Sequence, residues 1–391
     1  MQLGNLPLPD GFRRAEELGD PEDRFPLDVA ICEECSLVQI LFEVSPRTLF
    51  VDNYLYFSSF SDELVARSAE FALATVDEFA LGPDSFVVEV ASNDGYLLRS
   101  FASRGIPVLG VDPAPAQAAA AEKDGVPTLT EFFGLDVARR LVADGRRADL
   151  VVANNVMAHT PDLNGFVAGL SVLLADDGVA TIENTYVRDL IDNLAFDTIY
   201  HEHFCYFSCT AVDRLMRRHG LHLLRIEHLP TVQGGSLRWT VGRGRDPDAS
   251  VERYLREEAA CGLAGNAYFR DFACRVELVR GDLLTLLIGL RATGRSIAAY
   301  GAAAKGTILL NAVGIDESIL DYVVDRNVHK HGLFMPGVDI PICDPCRLLE
   351  DTPDYLLLLA WNYKEEIMAQ QAEYRARGGR FIVPVPTPEV V

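Results

Sequence analysis

The sequence predicts an α/β chain in which a small irregular segment precedes two domains of the nucleotide-binding type. Three observations carry this. From residue 61 to about 245, short apolar β-branched runs alternate with helical patterns, which argues for a parallel sheet with crossover helices. A second block repeats strand, glycine turn, helix and strand, from "SIAAYGAAAKGTILLNA" through "LDYVVD" and "PDYLLLLA" to "GGRFIVPVP". Residues 1–60, by contrast, are proline-rich, with one short apolar segment around "LDVAICEECSLVQILFE".

In the first block the strand candidates are "FVVEV" (86–90), "VLGVD" (108–112), "LVVANNV" (150–156) and "VATIEN" (179–184). Amphipathic stretches such as "FFGLDVARRLVADG" lie between them, and the alanine-rich "APAQAAAAEK" reads as helix. Residues 251–293 combine helical periodicity with many charges and read as a connector. The expected domains are therefore 1–50, 51–250 and 251–391, the connector going with the last.

Composition narrows the function. A 391-residue chain, 49% hydrophobic, can bury sizeable cores. Its net charge of −22 argues against nucleic acid or an anionic membrane as partner. Local basic groups and backbone amides still permit an anionic small ligand. The start "MQLGNLPLPDGF" has no basic-then-apolar order, so no secretory signal is expected, and "YLLLLAW" (355–361) is too short to span a bilayer. Eight cysteines without secretion read as thiols or metal ligands rather than disulfides. A cytoplasmic protein is expected, as a monomer or weak homodimer.

Three motifs carry chemistry. In "VVEVASNDGYLL" a strand holding Glu89 leads into Ser92, Asn93, Asp94 and Gly95 and then a helix. Such a turn presents backbone N–H groups and a helix start, and its carboxylates suit a ligand with positive charge and hydroxyls. Asp112 ends the next strand, placed to accept both hydroxyls of a ribose. Both acids would look the same as ordinary helix caps. In "FDTIYHEHFCYF" (196–207) a metal site, a proton-transfer site and a core strand are all open. No third ligand accompanies His201 and His203 at a telling spacing. On a strand these two would face away from Tyr200 and Glu202, so a loop or helix start suits the segment better. "AAYGAAAKG" leads through a small-residue loop to Lys305 and reads as an anion cradle or a bare structural turn, while "HKH" (329–331) reads as a solvated loop.

"VEVASNDGYLL" followed by "GVDPAP" resembles the class I S-adenosylmethionine-dependent methyltransferases. "FDTIYHEHFCYFS", "QGGSLRW", "YGAAAKGTILLN" and "PDYLLLLAWNYKEEI" extend the likeness to the sugar C-methyltransferases acting on nucleoside-diphosphate 4-keto-deoxysugars in antibiotic biosynthesis. It covers the chain from about residue 25 onward. The resemblance implies a class I methyltransferase Rossmann-like domain, a second Rossmann-like α/β domain holding the nucleotide-sugar, and a zinc-binding-type N-terminal domain. That zinc site uses two C-x2-C pairs, and only Cys32 and Cys35 stand here. "LGNLPLPDG" looks like the segment following the first pair, so the chain is expected to begin too late to include it. Cys343 and Cys346 belong to the distant C-terminal domain and do not complete the site.

The resemblance also implies roles. S-adenosylmethionine contacts fall on Glu89, Ser92, Asn93, Asp94, Gly95, Asp112, Pro113, Asn154 and Asn155. The nucleoside-diphosphate sugar, with thymidine the expected nucleoside, falls on Arg238, Tyr300, Gly301 and Lys305. Carbon methylation needs a base to make an enolate at C3, next to the C4 ketone, and a donor for the enolate oxygen. His203 is the implied base, Tyr200 its acid or orienting neighbour and Glu202 a binder of sugar hydroxyl. His159 or Tyr54 is the hydrogen-bond donor. Gln233 stands where the family usually has histidine. An inactive nucleotide-sugar-binding relative, or methylation of an oxygen or another carbon, stays open on the sequence.

Overall fold

The computed structural model describes residues 1–51, 56–263, 265 and 267–391. The N-terminal strands are β1 (Gln2–Pro7), β2 (Arg24–Ile31) and β3 (Val38–Ile40). Next come β4 (Val87–Val90), β5 (Val108–Val111), β6 (Thr128–Leu129), β7 (Ala148–Asn154) and β8 (Leu174–Thr185). They are followed by β9 (Cys205–Tyr206), β10 (His222–Leu229) and β11 (Ser236–Gly242). The C-terminal strands are β12 (Ile297–Tyr300), β13 (Val323–Val324), β14 (Ile342–Cys343), β15 (Tyr355–Leu358), β16 (Arg380–Val383) and β17 (Glu389–Val390).

Residues 1–50 are not irregular. Here β1, β2, β3 and β9 form an antiparallel sheet in that order, with Leu3, Leu6, Leu27, Val38 and Ile40 in its core. The sheet is closed by two residues from the "FDTIYHEHFCYF" segment, more than 150 positions away in sequence, and no local period announces such a pairing. It also fixes the position of that segment against the N-terminal domain.

The central sheet runs β10-β11-β8-β7-β4-β5-β6. β8, β7, β4, β5 and β6 are parallel, and the antiparallel pair β11 and β10 extends one edge. All four residues of β4 are buried, as expected of an apolar strand covered on both faces. β4 lies between β5 and β7, so the loops leaving it and its neighbours part there and open a crevice at the C-terminal ends. The third sheet, β14-β13-β12-β15-β16-β17, repeats this arrangement: β12 lies between β13 and β15, and only β17 is antiparallel.

Two buried links lock these layers together. Glu258, on the helix Ala249–Cys261, accepts hydrogen bonds from Tyr186 Oη, the Cys209 and Thr210 N–H groups and Thr210 Oγ1 at 2.6–2.9 Å. It therefore caps the helix Cys209–Arg218 from the connector side. Trp361, after β15, donates its indole N–H to Asp197 at 2.7 Å. No helix among the described residues is long and apolar enough to cross a membrane.

Candidate active site

A cleft of about 940 Å³ opens where the three sheets meet. Asp10 and Phe12 line it from the N-terminal domain, Asn93, Asp112, Asn154 and Asn155 from the ends of β4, β5 and β7, and Lys305 and Lys330 from the third sheet.

The turn after β4 is strained in the way close-approach turns are: Ala91, Asn93 and Gly95 all have positive φ, at 55°, 51° and 75°. A Cβ on Gly95 would stand 3.1 Å from Val126, so glycine is needed for both space and conformation. Asp112 stabilises the turn by accepting the Asn93 N–H (2.8 Å) and the Ala114 N–H (2.9 Å), one on each oxygen. Each oxygen keeps a free lone pair, so the carboxylate can still accept two hydroxyls. Burial pushes its pKa up, and those two N–H groups oppose the push. Asn154 Oδ1, on a cleft-lining residue, is buried with no hydrogen-bond partner among the described residues, an acceptor suited to an ammonium group. Asn155, in left-handed conformation, donates Nδ2–H to Glu183 Oε1 at 3.4 Å. Pro113 lines the cleft as expected, whereas Glu89, Ser92, Asp94 and Gly95 are buried beneath it. Buried Glu89, beside Asp112 and Asp94, is held well above the ordinary carboxylate range. The donor set therefore fits S-adenosylmethionine, with Asp112, Asn154 and the turn's backbone as the groups that would hold it.

The "YHEH" segment is a turn, because the short 3-10 helix Phe196–Thr198 precedes it and β9 follows. His203 Nδ1 contacts the Thr198 carbonyl at 3.1 Å. A carbonyl only accepts, so Nδ1 carries the proton and Nε2 keeps its lone pair. The Tyr200 ring packs on His203 at 4.0 Å between centroids and the His159 ring at 4.8 Å. Burial, with the nearby His159 and Lys305, holds His203 well below the usual histidine pKa, and burial draws His159 to about 4. Both are neutral at pH 7. Glu202 also lines the cleft, and burial together with Asp10 raises its pKa well above the ordinary value while Lys330 opposes. His201 points the other way, its Nε2 against the Phe25 carbonyl of β2 at 3.2 Å. Tyr54 lies outside the described residues. Ser58 and Ser59 donate backbone N–H groups to Asn93 Oδ1 (2.9 Å) and Asp94 Oδ2 (3.1 Å), which ties the short helix Ser58–Phe60 to the turn after β4.

The third sheet brings Lys305, in the first turn of the helix Ala304–Val313, to the cleft. Its Nζ lies 5.2 Å from the Trp361 ring and 3.4 Å from the carbonyl of Gln233, another cleft residue. Burial lowers its pKa, opposed by Asp197. Burial likewise raises Asp197 to about 6, opposed by Lys305 and by the Trp361 hydrogen bond.

Three expectations change. Arg238 lines the cleft, but its guanidinium is bound by Glu183 (2.6 Å) and Glu227 (3.3 Å) and covers the Phe71 ring at 4.5 Å. Those carboxylates are its cross-strand partners on β8 and β10, so its charge is already neutralised. Tyr300 and Gly301 do not reach the cleft. Gly301 instead lets the chain pass Ala360, whose Cβ would stand 2.9 Å from an added Cβ. The "HKH" loop is not merely solvated: His329 and Lys330 line the cleft, and Lys330 Nζ donates to the Ala302 carbonyl at 2.7 Å. Asp10, Phe12, Asp197 and Trp361 had no signal in the sequence. At the zinc-type corner, the N–H groups of Cys35 and Glu34 draw the Cys32 thiol below its ordinary pKa. Among the described residues no group of three or more His, Cys, Asp or Glu could hold a metal ion. Two thiols do not fit the four-ligand cage of a structural zinc.

Comparison with known proteins gives the family. The "Methyltransferase domain" family matches residues 63–226, the "C-methyltransferase C-terminal domain" family matches 231–386, and a zinc-binding-domain family matches 1–50. The fold and cleft define an S-adenosylmethionine-dependent methyltransferase. C-methyltransferase NovU of Streptomyces niveus is 36% identical over 394 residues, covering 100% of this chain and 93% of that protein. This chain belongs to the same C-methyltransferase family. The ubiquinone biosynthesis O-methyltransferase of Methylobacterium sp. (strain 4-46) is 34% identical over 116 residues, 27% of this chain and 45% of that protein. Among solved structures, the Synechocystis PCC 6803 magnesium protoporphyrin IX methyltransferase with bound SAM is 16% identical and covers 51% of this chain and 89% of its own, at TM-score 0.35.

Proposed function

We propose that this enzyme methylates C3 of a nucleoside-diphosphate 4-keto-6-deoxysugar through an enolate, with His203 as the base, in the cytoplasm. The observation that carries the reading is the 3.1 Å contact of His203 Nδ1 with the Thr198 carbonyl, on a residue that lines the cleft: it engages Nδ1–H and leaves the Nε2 lone pair to take a proton. Nε2 takes the C3 proton, and the electron pair moves into the C4 carbonyl, whose oxygen becomes anionic. Tyr200 donates to that oxygen, whereas the one ring N–H of neutral His159 is directed at the Glu202 backbone. S-adenosylmethionine supplies the electrophilic methyl that C3 attacks. Glu202, whose pKa burial and Asp10 raise, lines the cleft where it can hydrogen-bond a sugar hydroxyl. Lys305 and the backbone at the helix start after β12 face the diphosphate.

The test uses thymidine-diphosphate 4-keto-6-deoxyglucose in deuterated water with S-adenosylhomocysteine, so that methyl transfer is blocked. Wild type should exchange the C3 proton, and His203→Ala should lose about 10²–10⁴-fold in that rate. Exchange at the wild-type rate in His203→Ala would remove the assignment.

A further inference from the structure

We propose that Phe60 and His329 form the seat of the nucleobase, so that the cleft holds sugar, diphosphate and base in linear order. This rests on the nucleotide-sugar reading above. Phe60 closes the short 3-10 helix Ser58–Phe60 and is 66% exposed, unusual for a large apolar ring that also lines a cleft. One neighbour, Phe57, stacks on it with centroids 5.5 Å apart and planes 24° off parallel. His329 lies nearly parallel, at 22°, but with centroids 6.4 Å apart, toward the long end of aromatic pairing. Among the described residues Phe60 thus keeps most of its aromatic surface exposed at the cleft, the kind of surface on which a flat heterocycle stacks.

The order of groups along the cleft supports a base there. His203 feels the charge of Lys305. Ala302, just before the helix carrying Lys305, accepts a hydrogen bond from Lys330 Nζ. Next to Lys330 is His329, whose N–H is capped by Asn327 Oδ1 at 3.0 Å, and beyond it Phe60. Proton acceptor, two cations and aromatic pair thus border one cleft, as a ligand of sugar, diphosphate and base requires. The Phe60 segment is also tied to the turn after β4 through Ser58 and Ser59.

Calorimetry with thymidine 5′-diphosphate, inorganic pyrophosphate and S-adenosylhomocysteine separates the possibilities. Phe60→Ala should weaken thymidine diphosphate roughly tenfold, Phe60→Tyr should restore it, and His329→Ala should weaken it similarly. Neither alanine variant should change binding of pyrophosphate or S-adenosylhomocysteine, and the latter also reports that the fold is intact. Unchanged thymidine diphosphate affinity in Phe60→Ala, with wild-type binding present, overturns the stacking site alone. A fall confined to S-adenosylhomocysteine assigns the ring to the cofactor and overturns it equally. No thymidine diphosphate binding by wild type overturns the nucleotide reading of the cleft and this site with it.

Discussion

The turns after β4 and β12 use one backbone solution for opposite charges. Each leaves the C-terminal end of a strand whose two neighbours lie on opposite sides. Each contains a glycine with positive φ, Gly95 at 75° and Gly301 at 102°, where a side chain would collide with Val126 or Ala360. The first turn carries Asp94 with Asp112 beside it; the second carries alanines and Lys305. The topology makes a crevice in both places, and the side chains decide what enters it. The first suits a sulfonium, an ammonium and hydroxyls, and the second suits phosphate.

The sharpest way to break this division is to remove the second turn's charge. Lys305→Met keeps the stem over Trp361 but deletes a buried ammonium. It should weaken thymidine diphosphate by about 2–5 kcal/mol while leaving S-adenosylhomocysteine unchanged. If both ligands weaken equally in calorimetry, the turns are not separate sites. The reciprocal change is smaller. Asp112→Ala should weaken S-adenosylhomocysteine by about 1–3 kcal/mol, since a carboxylate accepting hydroxyls makes charge-assisted hydrogen bonds. Asp112→Asn, which keeps one acceptor for the Asn93 or Ala114 N–H, should fall between. Unchanged affinity in both variants would take the ribose away from Asp112.

These two turns were legible in the sequence because each is local: strand, glycine and charge within a dozen residues. So was the turn at "YHEH", because a strand would have put its two histidines on one face and Tyr200 and Glu202 on the other. What was not legible depends on pairings across long separations. Asp197 meets Trp361 across 164 positions, and His201 meets Phe25 across 176. The pairing of Arg238 was hidden for the same reason, because the carboxylates that neutralise it are visible only once the register of β10, β11 and β8 is known. The N-terminal sheet escaped notice because β9, its closing strand, is two residues long. Lys330 looked like part of a polar loop, since nothing local shows that its ammonium meets the helix start after β12.

Between the acidic and basic turns His159 and His203 are both uncharged at pH 7, and this gives the smallest effect. His159 is drawn to about 4 chiefly by burial, with neither turn's charges among the causes. The sign follows from linkage. Above pH 6.5 the residue is neutral in both folded and unfolded chains and makes no difference to stability. As pH falls below 6.5 the unfolded chain takes up a proton that the folded chain refuses until about pH 4, so folded stability is lost across that window. Carboxylates with raised pKa, Asp197 at about 6 among them, act in the opposite direction, so the wild-type curve alone is ambiguous. The difference between wild type and His159→Gln isolates the histidine, because the carboxylates are common to both. On going from pH 7.5 to 5.5, wild type should lose on the order of 1 kcal/mol relative to His159→Gln, read from denaturant midpoints. A difference independent of pH would mean that His159 keeps an ordinary pKa. A difference of opposite sign would mean that a nearby negative charge stabilises its protonated form, and that the ground between the two turns is not neutral.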